Sequence, residues 1–306
     1  MTMVTVELDV PVEMRDGVTL RADVYRPVGE GPWPVLVART PYGKTDHDEL
    51  QFLEPMLASR RGFIAVVQDV RGRYRSEGDF TPFVNEADDG ADTIEWAARL
   101  PGSNGSVGMW GLSYLATSSG RPPPGSPPAL RAIAPERTFR ECEEGLAFRG
   151  GAHELGAVRA WAVAMGFDVL ARRHADDEET MTKEILALVE SADGIPGATY
   201  LELPTGVDPV IRRHDLPNLA SPESMAAASV PPHQANVTVP SLHVAGWYDI
   251  FVQATIDNYV SAAQRTPARL VVGPWNTSAR SHNRATSTSG WPATGMRSTS
   301  RRPSWV

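Results

Sequence analysis

The stretch Gly108-Met109-Trp110-Gly111-Leu112-Ser113-Tyr114-Leu115-Ala116 decides the fold predicted for this chain. An apolar run that begins at Val107 stops abruptly at Ser113, as in a buried strand that turns directly into a helix. Such a nucleophile elbow exposes the serine Oγ and aims the next backbone N–H at the same point. The general pattern has glycine two residues before and two after the serine; Gly111 fits, but the small residue after it comes only at Ala116. Spacing alone therefore leaves two interpretations, a nucleophile and an ordinary buried turn serine.

Apolar runs and helical patterns alternate on both sides of this stretch. The N-terminus reads as a half-buried alternating strand over Val4–Val12, followed by a hairpin turn at Arg15–Val18 and a returning strand. Continuous apolar runs predict buried parallel strands, and amphipathic spacing predicts the helices between them. The predicted strands are 34–38, 63–67, 130–134, 239–246 and 269–273, and the helices are 49–61, 85–99 and 252–264. The pattern predicts an α/β fold, a doubly wound and mostly parallel sheet with an antiparallel N-terminal edge.

The alternation of predicted strands and helices is interrupted between about residues 141 and 236. Helical patterns over 146–173 and 178–191 are followed by a proline-rich stretch, which predicts a helical cap inserted above the sheet. We divide the chain into a first core part, 1–140, a cap, 141–236, and a second core part, 237–275. The remaining residues, 276–306, hold twelve Ser or Thr, five Arg and no Asp or Glu, so this tail is predicted to be disordered.

Composition limits the partners and the compartment. The formal net charge of −8 argues against a nucleic-acid or anionic-membrane partner. The single cysteine, Cys142, excludes an intramolecular disulfide, and no apolar stretch is long enough for a membrane span. We predict a cytoplasmic protein that uses no cofactor or metal.

Asp249 follows the predicted strand 239–246 directly. A serine followed by an aspartate after a late strand is the chain order of the α/β-hydrolase triad, in which the acid orients a histidine. The alternative is that Asp249 only caps the helix that begins near Val252. With Ser113 in the same chain, we favour the catalytic role.

Six motifs, in order, resemble the cocaine esterase-like and Xaa-Pro dipeptidyl-peptidase-like serine hydrolases. They are Arg15–Leu20 with Asp23–Pro27, Arg39–Lys44, Gln68–Gly72 with Ser76–Gly78, Gly111–Leu115, Gly246–Asp249 and Gly273–Trp275. The resemblance implies the α/β-hydrolase fold, usually followed by a β jelly-roll domain, which we expect to be absent here. In this family the motif around the serine ends in Gly three residues later, so Ala116 is a mild departure.

The resemblance also implies a role for each matching residue. Ser113 corresponds to the nucleophile that forms an acyl-enzyme, and Asp249 corresponds to the triad acid. The Tyr42 hydroxyl and the Tyr114 backbone N–H correspond to the oxyanion hole. Asp69 and Arg71 correspond to scaffold residues that hold loops by charged hydrogen bonds.

The position of the triad histidine departs from the family. That histidine stands two residues after Gly-Pro-Trp, where this chain has Thr277. A threonine cannot take up a proton near pH 7, so Ser113 would lack its general base. His282 is five residues further on, but nothing in its spacing supports a catalytic role. His243 lies inside a predicted strand, where a structural role is expected.

Two segments suggest changes of reading frame. We hypothesise a frame shift near codon 277, which would remove the histidine and the C-terminal domain. The proline-rich segment 117–128 stands where a helix should follow Ser113, as two compensating frame changes would produce; the alternative is a genuine proline-rich loop. Translation of the coding DNA in the other two frames tests both, because a missing His codon would refute the first hypothesis.

Two functions remain open. The resemblance implies a serine hydrolase that takes a small-molecule ester or peptide substrate and cleaves acyl esters or Xaa-Pro amides, impaired here by Thr277. The alternative is a non-catalytic pseudo-hydrolase or gene remnant with at most a binding role. A third possibility is recognition of a substrate amine by the acidic run Asp176–Glu179, although such a run also fits a solvated helix start.

Overall fold

A computed structural model describes residues 3–47, 50, 53–116, 127–193, 209–229 and 237–277. Among these residues, eight strands form one sheet and two short strands form a hairpin. The strands are β1 (Val4–Glu13), β2 (Thr19–Pro27), β3 (Trp33–Thr40), β4 (Ile64–Asp69), β5 (Ser103–Leu112), β6 (Leu130–Glu136), β7 (Phe148–Arg149), β8 (Ala152–His153), β9 (Ser241–Gly246) and β10 (Ala268–Gly273). The helices are α1 (Pro55–Arg60), α2 (Glu86–Ala98), α3 (Leu155–Arg173), α4 (Glu178–Asp193), α5 (Pro209–His214), α6 (Pro222–Ala228) and α7 (Val252–Ala263).

The sheet order is β1-β2-β4-β3-β5-β6-β9-β10. β1 pairs with β2, and β2 with β4, in antiparallel fashion, while the pairs from β4 to β10 are parallel. Every residue of β4 is buried, as its continuous apolar run predicts for a central parallel strand. The predicted doubly wound sheet with an antiparallel N-terminal edge is confirmed.

Two apolar cores lie against the sheet. One contains Val35, Val37 and Val107 of the central strands with Ile94 of α2. The other contains Tyr114 and Leu115 with residues of the helices between β6 and β9, such as Val158 and Ala162 of α3. The residues directly after Ser113 therefore join the sheet to these helices.

Several element predictions are corrected in detail. The predicted helix over 146–173 begins only at Leu155, because the β7–β8 hairpin precedes it. Asn104-Gly105, a residue pair typical of turns, lies inside β5, where Gly105 has φ +80°. Val6 and Leu8 are 42% and 65% exposed rather than half-buried, since β1 is the outermost strand of the sheet.

Some predictions concern residues that the structure does not describe. The proline-rich segment is described only at its end, and the tail only as far as Thr277. His282, the predicted disorder of the tail and the loss of a helix after Ser113 therefore stay untested, as does the four-part domain division. Within the described residues, no helix is both long and apolar enough to cross a membrane.

Candidate active site

Ser113 occupies a strained turn directly after β5. Its φ is +54°, in the left-handed region that non-glycine residues rarely adopt. Its N–H donates to the Glu136 carbonyl oxygen at 2.9 Å, and its own carbonyl oxygen accepts bonds from the Ala116 N–H and the Thr138 hydroxyl. These bonds hold the conformation that a nucleophile elbow requires, at the carboxyl end of a central parallel strand.

Gly111 makes the elbow sterically possible. A Cβ atom at this position would lie 2.4 Å from Leu115 Cβ and 2.9 Å from the Leu115 carbonyl carbon. Leu115, which stands where the general pattern has a second glycine, is itself buried in the core beside Tyr114. The departure from the pattern is therefore accommodated by packing, whereas Gly111 cannot be replaced without opening the turn.

We expect Gly111→Ala to lower the free energy of unfolding by about 3 kcal/mol, because the new methyl group overlaps backbone and side-chain atoms of Leu115. Urea denaturation measures this change. Gly105→Ala is the control: nothing lies within 4 Å of its added Cβ, so only backbone strain of about 1 kcal/mol is expected there. Equal losses in the two variants would contradict the steric role of Gly111.

Asp249 lies three residues beyond β9, and its side chain is buried. Its Oδ1 atom accepts a hydrogen bond of 2.5 Å from the Thr277 hydroxyl. Oδ2 is buried and accepts no hydrogen bond from the described residues. Burial raises the pKa of Asp249, while the Thr277 hydroxyl and the charge of Arg137 act in the opposite direction. Helix α7 begins at Val252 with Phe251 as its N-cap residue and without a side-chain cap. The Asp249 main-chain carbonyl oxygen accepts the Val252 N–H at 3.2 Å, so Asp249 also contacts the start of this helix.

Two glycines bring Thr277 to Asp249. A Cβ on Gly246 would lie 2.3 Å from the Trp275 carbonyl oxygen, and one on Gly273 would lie 2.6 Å from the Trp275 ring. The backbone after β9 also bonds to the backbone after β10, because the Tyr248 N–H donates to the Trp275 carbonyl oxygen at 3.0 Å. The two loops pack backbone to backbone, which explains why both motifs need glycine.

Arg137 connects the serine side of the site with the aspartate side. Its side chain is fully buried, Nη1 donates to the Asn276 carbonyl oxygen at 2.5 Å, and Nη2 lies 2.9 Å from Glu136 Oε1. The preceding carbonyl, that of Glu136, accepts the Ser113 N–H. The last residue of β6 and the residue directly after it therefore contact both the elbow and the loop that carries Thr277. Arg137 was not identified from the sequence; its signal was a charged pair, Glu136-Arg137, at the end of a buried strand.

Tyr42 lies on a loop that is anchored at several points after β3. Its N–H donates to Thr40 Oγ1, and its hydroxyl accepts the Trp161 Nε1–H at 3.2 Å. Arg73 Nε donates to the Pro41 carbonyl oxygen, and the Lys44 N–H donates to Asp69 Oδ1 at 2.7 Å. Asp69 is thus confirmed as a loop-holding scaffold residue.

Arg71 and Tyr114 are each held by charged groups. Arg71 forms ion pairs with Asp16 and Asp89, as expected of a scaffold residue. The Tyr114 ring is buried and stacks on Phe83 at 4.4 Å between ring centroids, while its hydroxyl donates to Glu86 and accepts the Phe83 N–H. The buried Tyr114 side chain therefore fixes the backbone that directly follows Ser113.

Asp69 predicts a pH dependence of stability. Burial raises the pKa of Asp69 to about 6 from the usual 3.8. Between these values the folded protein keeps a proton that the unfolded chain has lost, so this residue's contribution to stability falls as pH rises, by about 3 kcal/mol in all. We expect Asp69→Asn to flatten the dependence of unfolding free energy on pH between about 4 and 6. Asp215→Asn, at a side chain that is 93% exposed, should keep the parent slope; an unchanged slope in Asp69→Asn would contradict the assignment.

The other predicted candidates do not join this cluster. His243 is buried in β9, where Nε2 lies 3.0 Å from Ser241 Oγ and burial lowers the pKa of the imidazole to about 4. The acidic run Asp176–Glu179 is a helix start, since Asp177 accepts hydrogen bonds from the Thr180 N–H and hydroxyl. Ser113, Asp249, Tyr42 and Tyr114 stay the predicted residues of the candidate site, and the structure adds Thr277 through its hydrogen bond to Asp249.

Comparisons with known proteins agree with this architecture. The profile of the X-Pro dipeptidyl-peptidase (S15 family) matches residues 16–278. Cocaine esterase from Rhodococcus sp. (strain MB1 Bresler) is 32% identical over 288 residues, which cover 89% of this chain and 49% of that protein. The chain thus spans about half the length of this curated relative.

Solved structures share the fold at lower identity. A CocE/NonD family hydrolase from Staphylococcus aureus is 23% identical with a TM-score of 0.66, covering 90% of this chain and 48% of that one. An aminopeptidase from a marine sediment Thaumarchaeota archaeon is 22% identical with a TM-score of 0.61, covering 90% and 49%. The profile match over residues 16–278, together with the 32% identity to cocaine esterase, shows that this protein belongs to the X-Pro dipeptidyl-peptidase (S15) family of hydrolases.

Proposed function

We propose that this chain is a serine hydrolase of the ester-cleaving type, with Ser113 as its nucleophile and with turnover limited by the absence of a base at position 277. The observation that carries the proposal is the strained φ of Ser113 at the carboxyl end of β5, where parallel α/β sheets bind their ligands. The bonds from Glu136, Thr138 and Ala116 hold this strain in place.

The proposed reaction begins with attack of Ser113 Oγ on the acyl carbon of an ester. A new C–O bond forms while the carbonyl π electrons move to the oxygen, which becomes an oxyanion. The Tyr42 hydroxyl and the Tyr114 backbone N–H would donate hydrogen bonds to this oxygen, and such donors contribute about 3 kcal/mol each. When the intermediate collapses, the carbonyl re-forms and the C–O bond to the leaving group breaks, which leaves an acyl-serine. The Ser113 proton passes to solvent water, and the departing alkoxide takes up a proton from solvent to leave as the alcohol. Water then attacks the acyl-serine and releases the acid and free Ser113.

The attack requires that the Ser113 proton be removed, and Thr277 cannot remove it. Thr277 donates its hydroxyl proton to Asp249, so it occupies the place from which an imidazole would donate its ring N–H. Because triad members act as a unit, we expect turnover on the order of 10³-fold or more below that of an intact triad.

The absence of a base at position 277 also affects which leaving groups, and therefore which substrates, we expect. An amine leaving group must be protonated as the C–N bond breaks, whereas an activated alcohol leaves without that help. We therefore favour acyl esters over Xaa-Pro amides as the substrates of this chain. Ester cleavage also agrees with the name of the Rhodococcus relative.

A second candidate function is a non-catalytic, ligand-binding pseudo-hydrolase. It is favoured by the 2.5 Å bond between Thr277 and Asp249, which uses the acid for a structural contact. In that case the loop that carries Tyr42 and the turn at Ser113 would bind an ester without cleaving it.

A fluorophosphonate probe discriminates the two functions. The reagent phosphonylates an active serine and expels fluoride, and mass spectrometry locates the modified residue. We expect slow labelling at Ser113 over hours in the full chain. Labelling at another residue, or none after prolonged exposure while an ester analogue still binds by calorimetry, would favour the binding protein.

A further inference from the structure

The hydroxyl of Tyr42 makes a hydrogen bond with helix α3. Trp161, in the first half of α3, donates its indole Nε1–H to the Tyr42 oxygen at 3.2 Å. A phenol has one hydrogen to donate, and an oxygen that accepts the indole N–H cannot direct its own hydrogen along the same line. The indole therefore restricts the directions in which Tyr42 can donate.

The ring of Trp161 is held by the residue that follows the nucleophile. It stacks on Tyr114 with an interplanar angle of 10° and 6.4 Å between centroids, and it also contacts Phe80. Tyr114 itself is fixed by Glu86 and by the Phe83 N–H. The indole thus lies against both tyrosines assigned to the oxyanion hole, one through its N–H and the other through its face.

A second, independent contact joins the Tyr42 loop to α3. Arg73 is fully buried; its Nε donates to the Pro41 carbonyl oxygen at 2.8 Å and its Nη1 to the Met165 carbonyl oxygen at 3.0 Å. Pro41 precedes Tyr42, and Met165 lies about one helical turn beyond Trp161. The loop and the helix are therefore held at a constant separation, which the indole–phenol hydrogen bond requires.

We propose that Trp161 is a positioning residue of the proposed hydrolase: its indole N–H orients the Tyr42 hydroxyl so that the phenolic hydrogen points at the oxyanion. The inference rests on the proposed function, because it assigns a role within that oxyanion hole. Preorganised donors are effective because they need no reorientation as the charge develops. Helix α3 thereby takes part in catalysis without contributing a reacting group.

The test is a double-mutant cycle in the Thr277→His background, which supplies the base. The variants are Trp161→Phe, which keeps an aromatic ring but removes the N–H, Tyr42→Phe, and their combination. With p-nitrophenyl acetate, we expect Trp161→Phe to lower kcat about 10-fold with little change in KM, since a neutral hydrogen bond is removed. Tyr42→Phe should lower kcat about 100-fold or more.

The inference is tested by the coupling between the effects of Trp161→Phe and Tyr42→Phe on kcat. In a chain that already carries Tyr42→Phe, adding Trp161→Phe should change kcat less than 2-fold, because the hydroxyl it orients is gone. A merely structural Trp161 would give independent, additive losses, which would overturn the proposal, as would an unchanged kcat in the Trp161→Phe variant. If Tyr42→Phe itself keeps full activity, the oxyanion role of Tyr42 fails instead, and an absence of Ser113 labelling would refute the hydrolase itself.

Discussion

Thr277→His is expected to raise the kcat of p-nitrophenyl ester hydrolysis by about 10³-fold or more, because it places an imidazole next to Asp249. Thr277 Oγ1 already donates to Asp249 Oδ1 at 2.5 Å, so a ring N–H at this position has an acceptor. Position 277 is only partly buried, which leaves room for the larger side chain. Steady-state kinetics with the full-length variant measures the gain.

A dependence on pH should accompany the gain. The activity of the Thr277→His variant should rise with pH through about 6.5–7, as the new imidazole loses its proton and becomes a base. The parent chain has no such group at this position and should show no inflection of that origin.

The matched control for this gain is Thr277→Asn. Its amide can donate a hydrogen bond to Asp249 but cannot accept a proton near pH 7. We expect this variant to stay at the parent rate. A comparable gain in Thr277→Asn, or no gain in a folded Thr277→His variant, would show that the base is not the missing part.

Ser113→Ala, introduced into the Thr277→His background, is expected to remove all of the gained activity, a loss of about 10³-fold or more. The same change should abolish covalent labelling by the fluorophosphonate, because Oγ is the atom that forms the bond. Ser106→Ala, on the same strand β5, is the control and should retain both the activity and the labelling.

The double variant also tests whether the gained histidine acts through the elbow. An imidazole on the surface can hydrolyse activated esters slowly by itself. If Ser113→Ala leaves the gained activity intact, the rate belongs to His at 277 alone and Ser113 is not the nucleophile. Intact-mass measurement of the acyl-enzyme during turnover locates the acyl group directly.

Much of the architecture follows from local patterns. A continuous apolar run such as that of β4 predicts a strand that is buried on both faces, as in a parallel sheet. The carboxyl ends of parallel strands lie at one edge of the sheet. Ser113 and Asp249 each follow a strand of that sheet, which is why chain order alone indicated a common region. The sequence also shows that Thr277, in the loop after β10, stands at the position where a histidine would complete a triad.

Other features depend on contacts between residues that are distant in the chain. From the sequence alone, Arg137 is a charged residue after a predicted strand. Trp161 is an apolar residue of a predicted helix. Their roles appear only when Arg137 meets Asn276, 139 positions away, and Trp161 meets Tyr42, 119 positions away. The hydrophobic pattern of a segment does not identify such pairs, because the pattern around each residue is the same whichever distant residue it contacts.

The sequence by itself determined the fold class, indicated Ser113 as a candidate nucleophile and showed that no histidine stands at position 277, since these depend on local periodicity and residue chemistry. Only the tertiary structure decided that the Thr277 hydroxyl donates to the buried Asp249 carboxylate, and that Trp161 of α3 donates to the Tyr42 hydroxyl. The physical reason is that a hydrogen bond requires two atoms within about 3 Å, and such proximity between distant segments arises only when the sheet and its helices pack together.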